Sequence, residues 1–320
     1  MEVLIYGGGA VGLGLASCLL KAGAEVDIIA REDTVAALRK EGLVRRGIFG
    51  DHEAGPEAFG SYESLGKMGE KAFDYILVCV KSFDTGTAAK ELSGRLGVFG
   101  EQTKIVLCQN GWGNAEAFLS FFEQERIYSG RVITGFQRFK ANGVEITVHA
   151  EAIHVGSLFG CESGCIDKLC EGISKGGIPC EATEDIGKDL WAKMLYNCAL
   201  NPLGAILGVP YGVLAENGHT RFIMNEIVRE VFAVMKGAGY ETHWEDGEAF
   251  LSVFYEKLVP DTAEHMSSTL QDILAGKETE IEALNGAVIR LAEQQGREVP
   301  YNLAVYNIIK FSEARRGAEI

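Results

Sequence analysis

The sequence lacks a long apolar run. No uninterrupted stretch reaches the roughly 18 apolar residues that a membrane-spanning helix needs, so we expect no transmembrane segment. The first residues, MEVLIYGGGAVG, have no basic cluster, and three consecutive glycines interrupt their apolar run. We therefore expect no targeting segment there and a cytoplasmic protein.

Basic residues are also scarce. The 320-residue chain has 30 Lys and Arg against 45 Asp and Glu, which gives a formal net charge of −15, and it has no basic run. Repulsion from a phosphate backbone leads us to expect no nucleic-acid partner. An anionic cofactor would depend on a few local cations acting against the overall field.

The eight cysteines lack the spacing of a metal site. Cys161, Cys165 and Cys170 cluster without a Cys-x-x-Cys pair and have only His154 nearby, so we expect no metal. The simpler explanation of the eight cysteines is that they are reduced and that the protein is intracellular.

Apolar residues make up 47% of the chain, enough for two domains that each have a core. Strand and helix patterns alternate at first, whereas helix periodicity continues from Asp189 onward with no convincing strand. We predict an α/β fold with an N-terminal Rossmann-type parallel-sheet domain (residues 1–185). An all-α C-terminal domain would follow (residues 186–320).

A glycine-rich loop follows the first apolar strand, residues 3–6, and leads into a helix. It consists of Gly7, Gly8, Gly9, Ala10, Val11 and Gly12. Glycine suits the tight turn at the first position, the approach of a pyrophosphate at the third, and close helix packing at the sixth. The helix N-terminus would supply positive potential. The flanking strand and helix favour a dinucleotide site over an ordinary turn.

Two cations follow the strands of this predicted sheet. Arg31 stands where NAD-binding folds carry an acid, so it favours the 2′-phosphate of NADPH/NADP, although Glu32 and Asp33 follow at once. A solvated loop cation is the alternative. Lys81 follows the strand at residues 74–80 and would meet cofactor phosphate or ribose, unless it only covers the strand end.

Asn110 follows the next strand, residues 105–108, at the same predicted sheet edge. An Asn-Gly pair is commonly a turn, but this location makes Asn110 a candidate site residue. His154 lies in an alternating, antiparallel-type stretch and is interpreted as structural.

A polar stripe marks the start of the second predicted domain. Lys193, Asn197 and Asn201 stand at i, i+4 and i+8, which puts them on one side of a helix. The stripe faces either water or a polar ligand. Pro202 follows directly and is expected to kink or end the helix.

Ser268 and Glu280 each have a structural explanation. Ser268 with Gln271 fits a capping box, and Thr279 with Glu282 fits another that would open a long helix. Glu280 would then lie in the first turn, where the helix dipole favours an acid.

Taken together, these motifs resemble the ketopantoate reductase (2-dehydropantoate 2-reductase) family over nearly the whole chain. The segments that carry the resemblance are residues 7–12, Lys81, residues 109–111, residues 191–202, residues 267–272, residues 279–281 and Asn285-Gly286. The one departure is Gly8 in place of a usual alanine, which is expected to be a mild change.

The resemblance implies an NADPH-dependent reduction of ketopantoate to pantoate, a step toward pantothenate and coenzyme A. It implies that Lys193 is the general acid, with Glu280 beside it in the substrate site. Asn110, Asn197, Asn201 and Ser268 would bind the substrate, and the glycine loop with Arg31 and Lys81 would bind NADPH, with Asn110 at the cofactor as well.

Two alternatives to this function stay open. One is a related reductase that acts on another 2-keto acid. The other is a sensor that binds NADP(H) without turnover, which would need neither Lys193 nor Glu280. A homodimer is a further expectation, since the helical domain has enough apolar surface.

Overall fold

The computed structural model describes residues 1–315, with the backbone alone for Leu96. The chain divides into two compact units. The first comprises Met1–Gln109 and Asn114–Ile186, and the second comprises Asn110–Gly113 and Gly187–Ile320. The last five residues of the second unit, and of the predicted 186–320 domain, lie outside the described residues.

The first unit contains two sheets. Its strands are β1 (Glu2–Tyr6), β2 (Glu25–Ile29), β3 (Leu43–Gly47), β4 (His52–Ala54), β5 (Gly60–Tyr62), β6 (Phe73–Val78), β7 (Phe99–Leu107), β8 (Ile127–Arg131), β9 (Thr134–Lys140), β10 (Gly143–His149), β11 (Ile153–Gly156) and β12 (Cys180–Ala182). The larger sheet has the order β12-β11-β8-β7-β6-β1-β2-β5, and the smaller one β4-β3-β10-β9. In the larger sheet β8 and β11 pair antiparallel, and the other neighbouring strands pair parallel.

Helices cover both faces of the larger sheet. They are α1 (Ala10–Lys21), α2 (Glu32–Glu41), α3 (Thr85–Ser93), α4 (Asn114–Leu119) and α5 (Asp167–Lys175). Val3 and Ile5 of β1 belong to the core formed with α1, α2 and α5, whereas Leu4 and Tyr6 belong to the core formed with α3 and α4. Side chains alternate between the faces of a strand, so a strand covered on both sides is apolar throughout.

The strand order reverses at β1. From β1 the chain crosses to β2 on one side, and β6 then pairs with β1 on the other, with Tyr6 opposite Val78. Ligands of open α/β sheets bind at such a switch point, beyond the carboxyl ends of the strands. The glycine loop follows β1, and Lys81 follows β6.

The regular elements in the described part of the second unit are helices. Its helices are α6 (Ile186–Leu207, beginning one residue before the unit), α7 (Tyr211–Glu216), α8 (Gly218–Gly237), α9 (Gly247–Val253), α10 (Ser268–Leu274), α11 (Asn285–Gln294) and α12 (Pro300–Ala314). A π-helical turn, Phe254–Leu258, follows α9. None of the helices in residues 1–315 combines the length and the hydrophobicity needed to cross a bilayer.

Pro202 is expected from the sequence to kink or end its helix. It does not end the helix, because α6 continues to Leu207. Proline has no N–H, so the carbonyl of Cys198, four residues earlier, loses its helical donor. The buried Asn285 supplies one instead: its Nδ2 donates to the Cys198 carbonyl at 3.1 Å. The same amide donates to Asn302 Oδ1 at 2.9 Å.

Sequence patterns missed several short elements. Strands β3, β4 and β5 occupy or border the charged, glycine-rich stretch at residues 45–60, which shows no clear alternation. These strands are defined by their pairing and not by their local composition. Arg45, for example, lies opposite His52 in the antiparallel β3–β4 pair. Tertiary context outweighs local propensity in such strands.

Candidate active site

The loop after β1 is built by backbone packing. Gly7 has φ +117°, and a Cβ there would lie 2.6 Å from the backbone N of Val80. A Cβ on Gly12 would lie 2.0 Å from the Gly7 carbonyl oxygen. Gly9 differs, because the nearest atom to a Cβ there is the Cys79 carbonyl oxygen at 4.0 Å. Gly9 therefore leaves open space, while Gly7 and Gly12 are required by protein packing.

Gly8 is not a mild replacement for alanine in this chain. A Cβ at Gly8 would lie 2.5 Å from the Cβ of Ala30, a contact that requires the backbone or Ala30 to move. The backbone N–H groups of Gly7 and Gly8 both donate to the Ile29 carbonyl, at 3.0 and 2.9 Å. This bonding holds the loop against the end of β2. Position 8 therefore requires glycine, because Ala30 occupies the space that a Cβ would need.

The two cations proposed from sequence lie at the ends of their strands in the first unit. Arg31 is exposed and is the N-cap residue of α2. Lys81 is partly buried just beyond β6, where its carbonyl accepts a hydrogen bond from Gln109 Nε2 at 3.4 Å. Helix α1 begins at Ala10 with Gly9 as its N-cap and no side-chain cap. Its first N–H groups are thus not covered by a capping side chain.

Asn110 joins the two residues predicted to be catalytic. Lys193 Nζ donates to Asn110 Oδ1 at 2.6 Å, and Asn110 Nδ2 donates to Glu280 Oε2 at 3.0 Å. The amide orientation follows from its partners, since only the oxygen can accept from an ammonium and only the NH₂ can donate to a carboxylate. We call this set the carboxamide bridge. Both of its bonds are charge-assisted, which makes them stronger than bonds between neutral groups.

The segment Asn110–Gly113 is fixed to the second unit by its backbone and by an aromatic cluster. Trp112 N–H donates to the Ala283 carbonyl at 2.8 Å. Gly111 has φ +90°, and a Cβ there would lie 2.4 Å from that same carbonyl oxygen. The Trp112 ring lies 4.7 Å from the rings of both Trp191 and Tyr240, centroid to centroid. These contacts hold the segment that carries Asn110 in place.

Glu280 does not lie in the first turn of a helix, as its capping-box pattern suggested. Helix α11 begins five residues later, at Asn285, and Glu280 lies in an irregular turn with only 6% of its surface exposed. A buried carboxylate needs hydrogen-bond donors to offset its lost hydration, and Asn110 is one of them. The dipole explanation for an acid at position 280 is therefore wrong.

Glu313 anchors the turn that carries Glu280. Its Oε1 accepts from the Thr279 backbone N–H at 2.8 Å and from the Thr279 hydroxyl at 2.7 Å, while Lys310 pairs with Oε2 at 3.0 Å. Burial alone would raise the pKa of Glu313, but these bonds and the Lys310 charge outweigh it and lower the pKa below the usual value. The carboxylate is thus the form that holds the turn.

The polar stripe predicted on α6 exists, and its members have different surroundings. Lys193 is partly buried, and Asn197 and Asn201 are buried at 8% and 4% exposure. The Tyr211 hydroxyl donates to Asn201 Oδ1. Burial raises the pKa of Tyr211 well above its usual value, so the hydroxyl keeps its proton and remains a donor. Asn201 Oδ1 is therefore held by a donor within the protein.

The capping residue of α10 is Ser267 and not Ser268. Ser267 Oγ accepts from the Leu270 N–H at 3.0 Å, and Ser268 is the first residue of the helix. A Cβ on Gly204, one turn beyond Asn201 on α6, would lie 3.8 Å from the Ser267 Cβ. The start of α10 thus packs on α6 near the polar stripe. The capping explanation for Ser268 is wrong, and its hydroxyl is not used as a cap.

Comparison with protein-family models accounts for both parts of the chain. Residues 3–159 match the model described as ketopantoate reductase PanE/ApbA. Residues 185–313 match the model of the C-terminal part of the same proteins. The chain belongs to the ketopantoate reductase family. This confirms the resemblance drawn from the sequence.

Named relatives of the family align along the full length of the chain. A 2-dehydropantoate 2-reductase of Aquifex aeolicus is 36% identical over 318 residues, which are 98% of this chain and 97% of the relative. A 2-dehydropantoate 2-reductase of Archaeoglobus fulgidus is 32% identical over 315 residues, 98% of each chain.

Solved structures share the fold. A ketopantoate reductase of Ralstonia eutropha superposes with a TM-score of 0.85 at 27% identity, covering 99% of both chains. D-mandelate dehydrogenase, solved with NADH, has a TM-score of 0.88 at 21% identity, covers 99% of this chain and 100% of its own, and shows the fold alone. The predicted class, a Rossmann-type domain followed by a helical domain, is confirmed.

Four residues around the candidate site escaped sequence reasoning because their roles arise from packing. Trp112, Ala283, Tyr211 and Glu313 contact the predicted site residues or their turns. Only Trp112 carried a signal, since it follows Asn110-Gly111 directly. The other three look like ordinary helix or core residues until the chain folds.

Proposed function

We propose that this protein reduces ketopantoate to pantoate with NADPH, a step toward pantothenate and coenzyme A. The observation that carries the proposal is the carboxamide bridge: a lysine ammonium, an asparagine and a buried carboxylate linked in a member of the ketopantoate reductase family. Its named relatives are 2-dehydropantoate 2-reductases. D-mandelate dehydrogenase, a structural neighbour, was solved with NADH, which fits a nicotinamide cofactor here as well.

The glycine loop suits a pyrophosphate. Space beside Gly9 and the uncapped start of α1 provide room and N–H donors for a dianionic group. In the proposal, residues Gly7, Gly8, Gly9, Ala10, Val11 and Gly12 cradle the pyrophosphate. Arg31 pairs with the 2′-phosphate and Lys81 with phosphate or ribose, and Asn110 is proposed as a further cofactor-binding residue. Bound there, the cofactor supplies the hydride that reduces the keto carbon.

Lys193 would supply the proton. Its ammonium would donate a hydrogen bond to the substrate's keto oxygen. It would stabilise the negative charge that develops on that oxygen and then transfer a proton to it. Asn110 Oδ1 orients the ammonium, and Glu280 polarises the amide from its other side. The amide thus links the carboxylate to the ammonium.

Asn197, Asn201 and Ser268 would bind the hydroxyl and carboxylate groups of the substrate. All three are neutral, so they can form hydrogen bonds to an anion without adding net charge to the site. Asn201 would offer its Nδ2, since Oδ1 already accepts from Tyr211. Ser268 would offer its hydroxyl at the start of α10, where the helix dipole favours a carboxylate.

The test is a panel of 2-keto acids assayed by NADPH oxidation under identical conditions. We expect the highest kcat/KM with ketopantoate. The ratio of kcat/KM values is the quantity to compare, because it reports differences in transition-state binding directly. A higher kcat/KM for another branched keto acid would contradict the substrate assignment. Tight NADPH binding without oxidation by any keto acid would contradict the enzymatic role altogether.

Location and assembly are finer proposals. All eight cysteines are free thiols, which is typical of a reducing compartment and supports a cytoplasmic protein. Leu303, Ile308 and Phe311 are exposed on α12 and would suit a homodimer contact. Light scattering at micromolar concentration would give twice the monomer mass if the dimer exists.

A further inference from the structure

The first turn of α2 presents a charge problem for binding a 2′-phosphate. Arg31 caps the helix, but Glu32 and Asp33 follow it in the first turn, so these three residues together carry one net negative charge. A phosphate bearing close to two negative charges would meet one cation and two carboxylates. One arginine is poorly matched to that group unless another cation contributes.

A second arginine reaches this turn from the smaller sheet. Arg138 of β9 donates from Nη2 to the Thr34 hydroxyl at 3.1 Å, and Thr34 is the third residue of α2. The approach is set by Phe136, two residues earlier on the same side of the strand. A Cβ on Gly14 of α1 would lie 2.3 Å from the Phe136 ring, so this glycine allows β9 to pack closely on the helix.

Arg31 and Arg138 lie near enough to influence each other. Burial lowers the pKa of Arg138, Asp33 raises it, and the positive charge of Arg31 lowers it further. Two guanidinium groups held close together repel each other. A phosphate bound between them turns this arrangement into a favourable one, because each guanidinium can offer two N–H donors to phosphate oxygens.

We propose that Arg138 is a second 2′-phosphate-binding residue, and that Arg138 and Arg31 together set the preference for NADP(H) over NAD(H). The proposal rests on the proposed function, because it assumes that the dinucleotide binds at the glycine loop. It assigns the β9–β10 hairpin a role in cofactor choice. With Arg138 included, the cations at this turn balance its carboxylates before the phosphate arrives.

The test uses two probes that differ in the 2′-phosphate: 2′,5′-ADP and 5′-AMP, titrated calorimetrically into the full-length protein. We expect the wild type to prefer 2′,5′-ADP and Arg138→Met to lose tenfold or more of that preference, with 5′-AMP affinity unchanged, on the scale of a lost charged hydrogen bond. Arg138→Lys should give an intermediate loss, since it keeps a charge but not the planar donor pair.

Arg46→Met is the matched control. Arg46 lies in the same small sheet, pairs with Glu145 at 2.9 Å and lies over the Phe139 ring, so its loss removes one surface cation of equal charge. It should leave both affinities unchanged. Thr34→Val, which keeps both arginines but removes the Arg138 anchor, should lower 2′,5′-ADP affinity alone.

Three results would overturn the proposal. If the Arg138→Met variant keeps the wild-type preference for 2′,5′-ADP, Arg138 is not a phosphate ligand. If Arg46→Met loses as much of that preference as Arg138→Met does, the effect comes from net charge alone. A wild type without any preference for 2′,5′-ADP overturns the NADPH assignment as well. Because the probes report binding without turnover, a wrong keto-acid substrate would leave these results unchanged.

Discussion

The glycine loop and the carboxamide bridge are built in opposite ways. The loop uses backbone atoms from one short segment, residues 7–12, and its geometry requires glycine at position 12, since an added Cβ there would lie 2.0 Å from the Gly7 carbonyl oxygen. The bridge uses three side chains, of which Lys193 lies 83 residues and Glu280 lies 170 residues from Asn110.

This difference determines what each region tolerates. Added volume at Gly7 or Gly12 damages the loop, because a Cβ at either position would collide with backbone atoms. The bridge instead depends on support that lies outside its three members: the Gly111–Ala283 contact, the ring of Trp112 and the Glu313 anchor. Side chains held in this way cost conformational entropy, which the supporting contacts must offset.

Lys193→Ala should give the largest effect. We expect kcat to fall by roughly 10²-fold or more, the usual scale for a catalytic acid, with the Kd for NADPH unchanged. The measurements are steady-state NADPH oxidation and a fluorescence titration of the cofactor. Lys236→Ala, which removes an exposed lysine of α8, is the control and should behave as wild type. Undiminished turnover would remove Lys193 from the mechanism.

Asn110→Asp should come next. The new carboxylate can still accept from Lys193, but it cannot donate to Glu280 and would place two negative charges together. We expect kcat to fall by roughly 10- to 100-fold, in keeping with the cost of leaving a buried acceptor without its donor. Measuring kcat and the melting temperature together separates misorientation from unfolding. Unchanged kcat would mean that the amide merely fills space.

Two glycine substitutions sharpen the view of the loop. Gly12→Ala should lower stability by about 1–3 kcal/mol, as overpacking does. Gly9→Ala should leave the melting temperature unchanged, since its φ of −79° suits any residue and its Cβ would have space. It should nevertheless weaken NADPH binding by roughly tenfold, because the Cβ fills the space in which we propose that the pyrophosphate binds. Equal loss of stability in both variants would contradict the distinction.

The sequence predicts the loop better than the bridge, for a physical reason. A strand, six residues and a helix carry a local pattern, whereas the partners of Asn110 are joined only by the fold. The i, i+4, i+8 spacing located the stripe on α6 correctly. Local rules were wrong where tertiary contacts dominate: Pro202 lies inside a helix because Asn285 bonds the freed carbonyl, and Glu280 lies outside one because Asn110 and the Thr279 anchor fix its turn.

Glu313→Gln should change stability and its pH dependence. The lowered pKa of Glu313 means that its contribution to stability is fully present above its usual value of 4.5 and disappears as the pH falls through the lowered folded-state pKa. We expect a loss of about 1–3 kcal/mol at pH 7 and a flatter stability curve below pH 4.5 than in wild type. Urea titrations across pH provide the measurement. Parallel curves for the two proteins would rule out the anchor.

Whether the carboxamide bridge acts as one unit can be measured most directly by a double-mutant cycle of Asn110→Ala and Lys193→Ala, with kcat determined at saturating NADPH and ketopantoate. If Asn110 works by orienting the ammonium of Lys193, then the double variant will be no slower than Lys193→Ala alone, because residues that act as a unit are non-additive. If instead the two losses multiply, the residues act independently and the bridge is not the basis of catalysis.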